Sequence, residues 1–135
     1  MDKITAMVVD DYESVRNLFK RMSRGLGFEL IPVEDGFTAL NLLQSTPVDV
    51  IFLDVRMPRI DGLETLRRIK KMRPTLPVYM MTGSELDYVL NELSKMGAEG
   101  FLFKPFELRE VSAILEKVAG PLNKRVGGDL PPKNP

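Results

Sequence analysis

The feature that most constrains this chain is a fivefold alternation. Short apolar runs at residues 4–9, 28–33, 48–53, 77–81 and 99–103 alternate with segments of helical period. After the first run, Val15, Leu18, Phe19, Met22 and Leu26 share one helical face, and Gly25 and Gly27 stop it. A short helix over residues 36–45 turns Leu40 and Leu43 inward and ends before Pro47. Leu63, Leu66, Ile69 and Met72 mark the third helix, closed by Pro74. Leu86, Val89, Leu90 and Leu93 mark the fourth, ended by Gly97. Leu108, Val111, Ile114, Leu115 and Val118 mark the fifth. Strand-helix alternation at this spacing implies βαβ crossovers, hence a parallel sheet with helices on both faces. The first, third and fourth runs are almost continuously apolar, as strands covered on both sides must be. Right-handed crossovers leave few topologies, and the doubly wound order 2-1-3-4-5 is the one expected.

After Ala119 the composition changes. The segment "GPLNKRVGGDLPPKNP" has too few large apolar residues to build a core. The expected division is a domain over residues 1–119 and a flexible tail or linker start over 120–135.

Composition narrows the chemistry. Lys+Arg and Asp+Glu both total 19, so the net charge is zero and nothing suggests direct nucleic-acid binding. Cysteine and histidine are both absent. That excludes disulfides, thiolate nucleophiles, imidazole bases and soft-metal sites. Carboxylates, hydroxyls, Lys and Arg remain, which are partners for hard cations and phosphoryl groups. The N-terminus is charged at once, and no apolar stretch approaches the roughly 20 residues that span a bilayer. The expectation is a cytoplasmic protein without membrane contact.

In open α/β sheets, ligands bind outside the carboxyl ends of the strands. There the chain places Asp10 and Asp11 after the first run, Asp54 after the third, Thr82 after the fourth and Lys104 after the fifth. Taken singly, such an aspartate is a turn former or helix cap, Thr82 is a cap, and Lys104 is a surface cation. Together they would be four accidents on one rim. Two carboxylates about 4 Å apart repel by roughly 4 kcal/mol at an effective dielectric near 20. Three acids against one lysine therefore call for a shifted pKa or a bound cation. Oxygen-only ligation fits Mg²⁺.

The segments "VVDD" (8–11), "FLDVRMPRIDG" (52–62), "MTGS" (81–84) and "FLFKPF" (101–106) resemble, in order, the response-regulator receiver domains of two-component signalling. The resemblance covers roughly residues 3–119. It implies a flavodoxin-like (βα)5 fold. It implies that Asp54 is the phosphoacceptor, taking a phosphoryl group from a sensor histidine kinase or a histidine phosphotransfer protein. It makes Asp11 a direct Mg²⁺ ligand, Asp10 a ligand through water, and the Arg56 backbone carbonyl the third protein ligand. Lys104 would contact the acceptor and then the phosphoryl oxygen. Thr82 would be the switch hydroxyl, moving with Phe101 as the switch aromatic. Phosphorylation would then bias the surface of the fourth helix, fifth strand and fifth helix toward an unidentified downstream partner or output domain, and homodimer formation on phosphorylation is compatible with it. Catalysis would be limited to the chain's own phosphorylation and dephosphorylation.

Two competing readings have weaker support. A Mg²⁺-dependent phosphatase working through an aspartyl-phosphate would carry D-x-D-x-T after its first strand, where this chain reads Asp10-Asp11-Tyr12-Glu13-Ser14. A flavin carrier needs a Ser/Thr/Gly-rich phosphate cradle there, and two acids would repel phosphate.

Overall fold

The structure is a computed structural model and describes residues 2–84 and 86–127. Its elements are β1 (Thr5–Val9), α1 (Glu13–Leu26), β2 (Glu29–Val33), α2 (Gly36–Leu43), β3 (Val50–Asp54), α3 (Gly62–Met72), β4 (Val78–Thr82), α4 (Asp87–Lys95), β5 (Gly100–Phe103) and α5 (Leu108–Leu122). All five strands are parallel, in the order β2-β1-β3-β4-β5. This is the doubly wound, flavodoxin-like arrangement that the alternation predicts.

The period-2 geometry of strands sorts the core into two layers. Ala6, Val8, Phe52, Tyr79, Met81 and Leu102 face one side, where they meet Phe19, Met22 and Leu26 of α1 and Val111, Leu115 and Val118 of α5. Met7, Val9, Ile51, Leu53, Val78 and Met80 face the other, against Ala39 and Leu43 of α2, Leu66 and Ile69 of α3, and Leu93 of α4. Every residue of β3 and β4 is buried, which explains why those runs lack alternation. α4 is the least anchored helix, with Leu93 its one fully buried residue.

Register sets the rim. Val9 pairs with Leu53, so Asp10 and Asp54 emerge side by side. Asp54 pairs with Met81, and Thr82 with Phe103. The ladder runs one residue further than the apolar runs suggest, so Asp54 and Thr82 are the last residues of their strands.

The chain departs from expectation at its carboxyl side. A boundary after Ala119 would fall inside α5, which runs on through Gly120 and Pro121. Pro121 sits in the last turn, and Asn123, at φ 53, ends the helix. The next residues fold back on the amino edge of the sheet. Arg125 forms a parallel bridge with Lys3, its carbonyl accepting from the Ile4 N–H at 3.0 Å. Lys124 reaches both oxygens of Asp49, at 3.1 and 3.0 Å. Asp49 in turn accepts from the Thr5 N–H at 2.8 Å. The Gly127 N–H donates to the Gly27 carbonyl at 2.9 Å. Residues 120–127 are thus part of the fold, and the rest of the expected tail, 128–135, lies outside the described residues.

Candidate functional site

Each member of the rim is delivered by a strand end. Asp10 is fully buried just beyond β1. Its Oδ1 accepts the Tyr12 N–H at 2.9 Å, and its own carbonyl accepts from Arg16 Nη1 at 2.8 Å. α1 therefore begins by locking Asp10 in place. Asp54 is 5% exposed, and Asp11 is exposed to solvent. One carboxylate oxygen from each of Asp10, Asp11 and Asp54 lies within 4.8 Å of the others.

Lys104 bridges two of these carboxylates. Its Nζ donates to Asp10 Oδ2 at 2.9 Å and to Asp54 Oδ1 at 3.1 Å. The Lys104-Pro105 peptide is cis. The Lys104 N–H donates to the Thr82 carbonyl at 2.7 Å, which fixes the start of the lysine side chain to the end of β4.

The charges do not balance. Burial and the neighbouring Asp10 carboxylate push the Asp54 carboxyl up to about 6, against the pull of Lys104. Burial works against the Lys104 ammonium, yet its hydrogen bonds to Asp10 and Asp54 hold it above its ordinary value. A compact trio of hard oxygens, one exposed, with Lys104 beside them, has the donor chemistry to hold a hard metal cation.

Thr82 is 1% exposed at the end of β4. Phe101 is half-buried on the α2–α3–α4 side of the sheet, its ring 6.3 Å from that of Phe103. It packs in the apolar layer and does not join the acid cluster. Arg56 is exposed in the loop after β3. That loop returns close to Asp54, with the Gly62 N–H on the Val55 carbonyl at 2.9 Å. A Cβ at position 62 would lie 2.3 Å from the Asp54 carbonyl oxygen, so only glycine permits this approach.

Two residues beside the site are not singled out by the strand-end argument. Tyr12, 61% exposed, places its ring 5.9 Å from the Lys104 ammonium. Arg16 holds the Asp10 carbonyl from one turn into α1. Both follow the Asp10-Asp11 pair in sequence, but only the entry angle of α1 brings them to the rim.

Acids, a lysine and a hydroxyl on the carboxyl edge of a flavodoxin-like sheet define a class of small α/β signalling domains. The response regulator receiver domain family matches residues 6–116, and the chain belongs to that family. It is 38% identical over 118 residues to the DNA-binding transcriptional regulator NtrC of Escherichia coli K12, covering 87% of this chain and 25% of that protein. The chain thus spans about a quarter of the length of this relative. Among solved structures, the Vibrio cholerae chemotaxis protein CheY4 superposes with a TM-score of 0.81 at 29% identity, over 86% of this chain and 98% of that one. The receiver domain of the sensor histidine kinase PA1611 from Pseudomonas aeruginosa superposes with a TM-score of 0.79 at 25% identity, over 89% of this chain and 99% of that one. That structure has a magnesium ion coordinated in its active site cleft. Among the described residues, no helix is long and apolar enough to cross a membrane.

Proposed function

We propose that this receiver domain accepts a phosphoryl group on Asp54 from the phosphohistidine of a sensor kinase or phosphotransfer protein. The observation that carries the reading is the bridge of Lys104 between Asp10 and Asp54, with an Asp11 oxygen inside the same 4.8 Å cluster. An Asp54 oxygen attacks phosphorus, the nitrogen–phosphorus bond breaks, and the imidazole nitrogen keeps the electron pair and then takes a proton. Asp11 and Asp54, with Asp10 behind them and the Arg56 carbonyl, are the groups that would hold Mg²⁺. When bound, the cation supplies positive charge for the phosphoryl oxygens.

Lys104 already pairs with the acceptor, so its ammonium can follow the charge onto the new phosphoryl oxygens. Thr82 stands one strand away and offers a hydroxyl to a third oxygen. Its inward movement vacates space that Phe101 can take, which would bias the α4–β5–α5 surface. Leu86, Tyr88, Phe103 and Leu108 are exposed on these elements and their flanks, an apolar complement for a downstream partner or a second copy. On this reading the working unit is the receiver domain, acting in the cytoplasm, with no turnover of an external substrate. Incubation with Mg²⁺ and a small acyl-phosphate donor should add one phosphoryl group by intact mass, labile at high pH. The assignment fails if Asp54→Ala takes up label at a comparable rate.

A further inference from the structure

The loop from Val55 to Asp61 carries the Arg56 carbonyl, yet its anchorage comes partly from a different strand-helix unit. Its two ends are tied locally, by the Val55 N–H on the Met81 carbonyl at 3.0 Å and the Gly62 N–H on the Val55 carbonyl at 2.9 Å. Its tip leans on the start of α2. Ile60, 4% exposed, packs against Gly36 so closely that a Cβ there would lie 2.9 Å from Ile60 Cγ2 and 2.2 Å from Thr65 Oγ1. Beside this contact the Arg59 guanidinium forms an ion pair with Asp35 Oδ2. The other Asp35 oxygen caps α2 by accepting the Thr38 N–H at 2.8 Å. Arg59 makes this reach from φ 69, in a left-handed region that large side chains seldom occupy.

A large residue in that backbone state, paired with a largely buried cap, is an expensive way to build a surface loop. Glycine would fit the turn with less strain but would offer no guanidinium. The aspartate is doubly committed, one oxygen to the helix and one to the loop. We propose that Asp35 and Arg59 are positioning residues for the acceptor loop, clamping its tip to the α2 cap so that the Arg56 carbonyl is held ready for the cation. The inference rests on the phosphoacceptor reading above. Neither residue touches the acid cluster. Their effect passes through the loop backbone, as outer groups around a metal act through the ligands they orient.

Two conservative changes separate this role from local structure. Asp35→Asn keeps a good helix cap but loses the charge that holds Arg59. Arg59→Gly keeps the backbone state but removes the guanidinium. Mg²⁺ would be titrated into the full chain and followed by amide NMR shifts at residues 54–62, with Asp11→Ala as the control for the metal site itself. We expect wild type to bind, Asp11→Ala to lose binding, and each clamp variant to weaken it about three- to tenfold. That is less than the roughly 10–100-fold seen for groups bonded directly to a ligand. The double variant should be no weaker than the poorer single one, because both changes break the same link. Arg59→Lys should recover part of the affinity. Without Mg²⁺, the Ile60 and Gly62 amides should exchange faster in both single variants. Mg²⁺ affinities within twofold of wild type in both clamp variants, with Asp11→Ala still defective, would overturn the clamp alone. Unchanged binding in Asp11→Ala would overturn the metal reading and the clamp with it.

Discussion

Lys104 donates to Asp54 at 3.1 Å although β4 lies between the strands that carry the two residues. β5 and β3 are two interstrand spacings apart, about 10 Å. Only a long side chain starting at the rim and lying across it can close that gap. The same ammonium goes on to Asp10, beyond β3. One flexible cation therefore offsets two carboxylates, and this shared duty leads to the following expectations.

Asp54 should make the fold less stable as pH rises. Its carboxyl titrates at about 6 in the folded chain against 3.8 as the ordinary value. The folded state therefore holds the proton more tightly. The group's contribution is most favourable below about pH 4, declines through pH 4–6 and stays low above that. Asp54→Asn keeps the shape and removes the charge. It should be about 1–3 kcal/mol more stable than wild type at pH 7 in Mg²⁺-free buffer, and little different at pH 4. Urea unfolding followed by circular dichroism at both pH values gives the comparison. A difference independent of pH would remove Asp54 as its source.

Lys104→Met leaves a fully buried Asp10 and its neighbour Asp54 without their ammonium. Breaking such a link costs on the order of 3 kcal/mol at neutral pH. The lysine also competes with any cation for the same oxygens, so the variant should bind Mg²⁺ more tightly than wild type. Mg²⁺ should then recover much of the lost stability, while the rate of phosphoryl uptake still falls. Calorimetric titration measures the first effect, and an affinity equal to wild type would show that Lys104 and the cation do not share oxygens.

Two glycine-to-alanine changes should act in opposite directions. At position 62 the new methyl meets only backbone, at 2.3, 2.7 and 2.8 Å from atoms of Asp54 and Val55. The loop after β3 must shift, and the loss should be about 1–3 kcal/mol despite the better helix propensity of alanine. At Gly25, within α1, nothing lies within 4 Å. The change there should stabilise by up to about 1 kcal/mol. Paired thermal melts test this, and a Gly62→Ala midpoint at or above wild type would contradict the close approach.

The rim was readable because a parallel sheet makes strand ends equivalent. Once residues 4–9, 48–53, 77–81 and 99–103 are strands of one sheet, whatever follows each of them must share an edge. Asp10, Asp54, Thr82 and Lys104 follow them without a spacer. Local composition misled at Gly120-Pro121. A proline in the last helical turn is tolerated, and Lys124, Arg125 and Gly127 find partners on Asp49, Lys3 and Gly27 that lie far away in sequence.

Hydrophobic period and strand-end chemistry thus determined the topology, the rim and the identity of its acids, because these depend on short-range order along the chain. Tertiary structure decided which carboxylates share Lys104, how far Asp54 is driven from its ordinary pKa, and that Asp35 reaches Arg59. Those outcomes depend on distances between residues that only packing brings together. Coulomb energy, desolvation and hydrogen bonding all turn on such distances, and a linear pattern of residue types does not contain them.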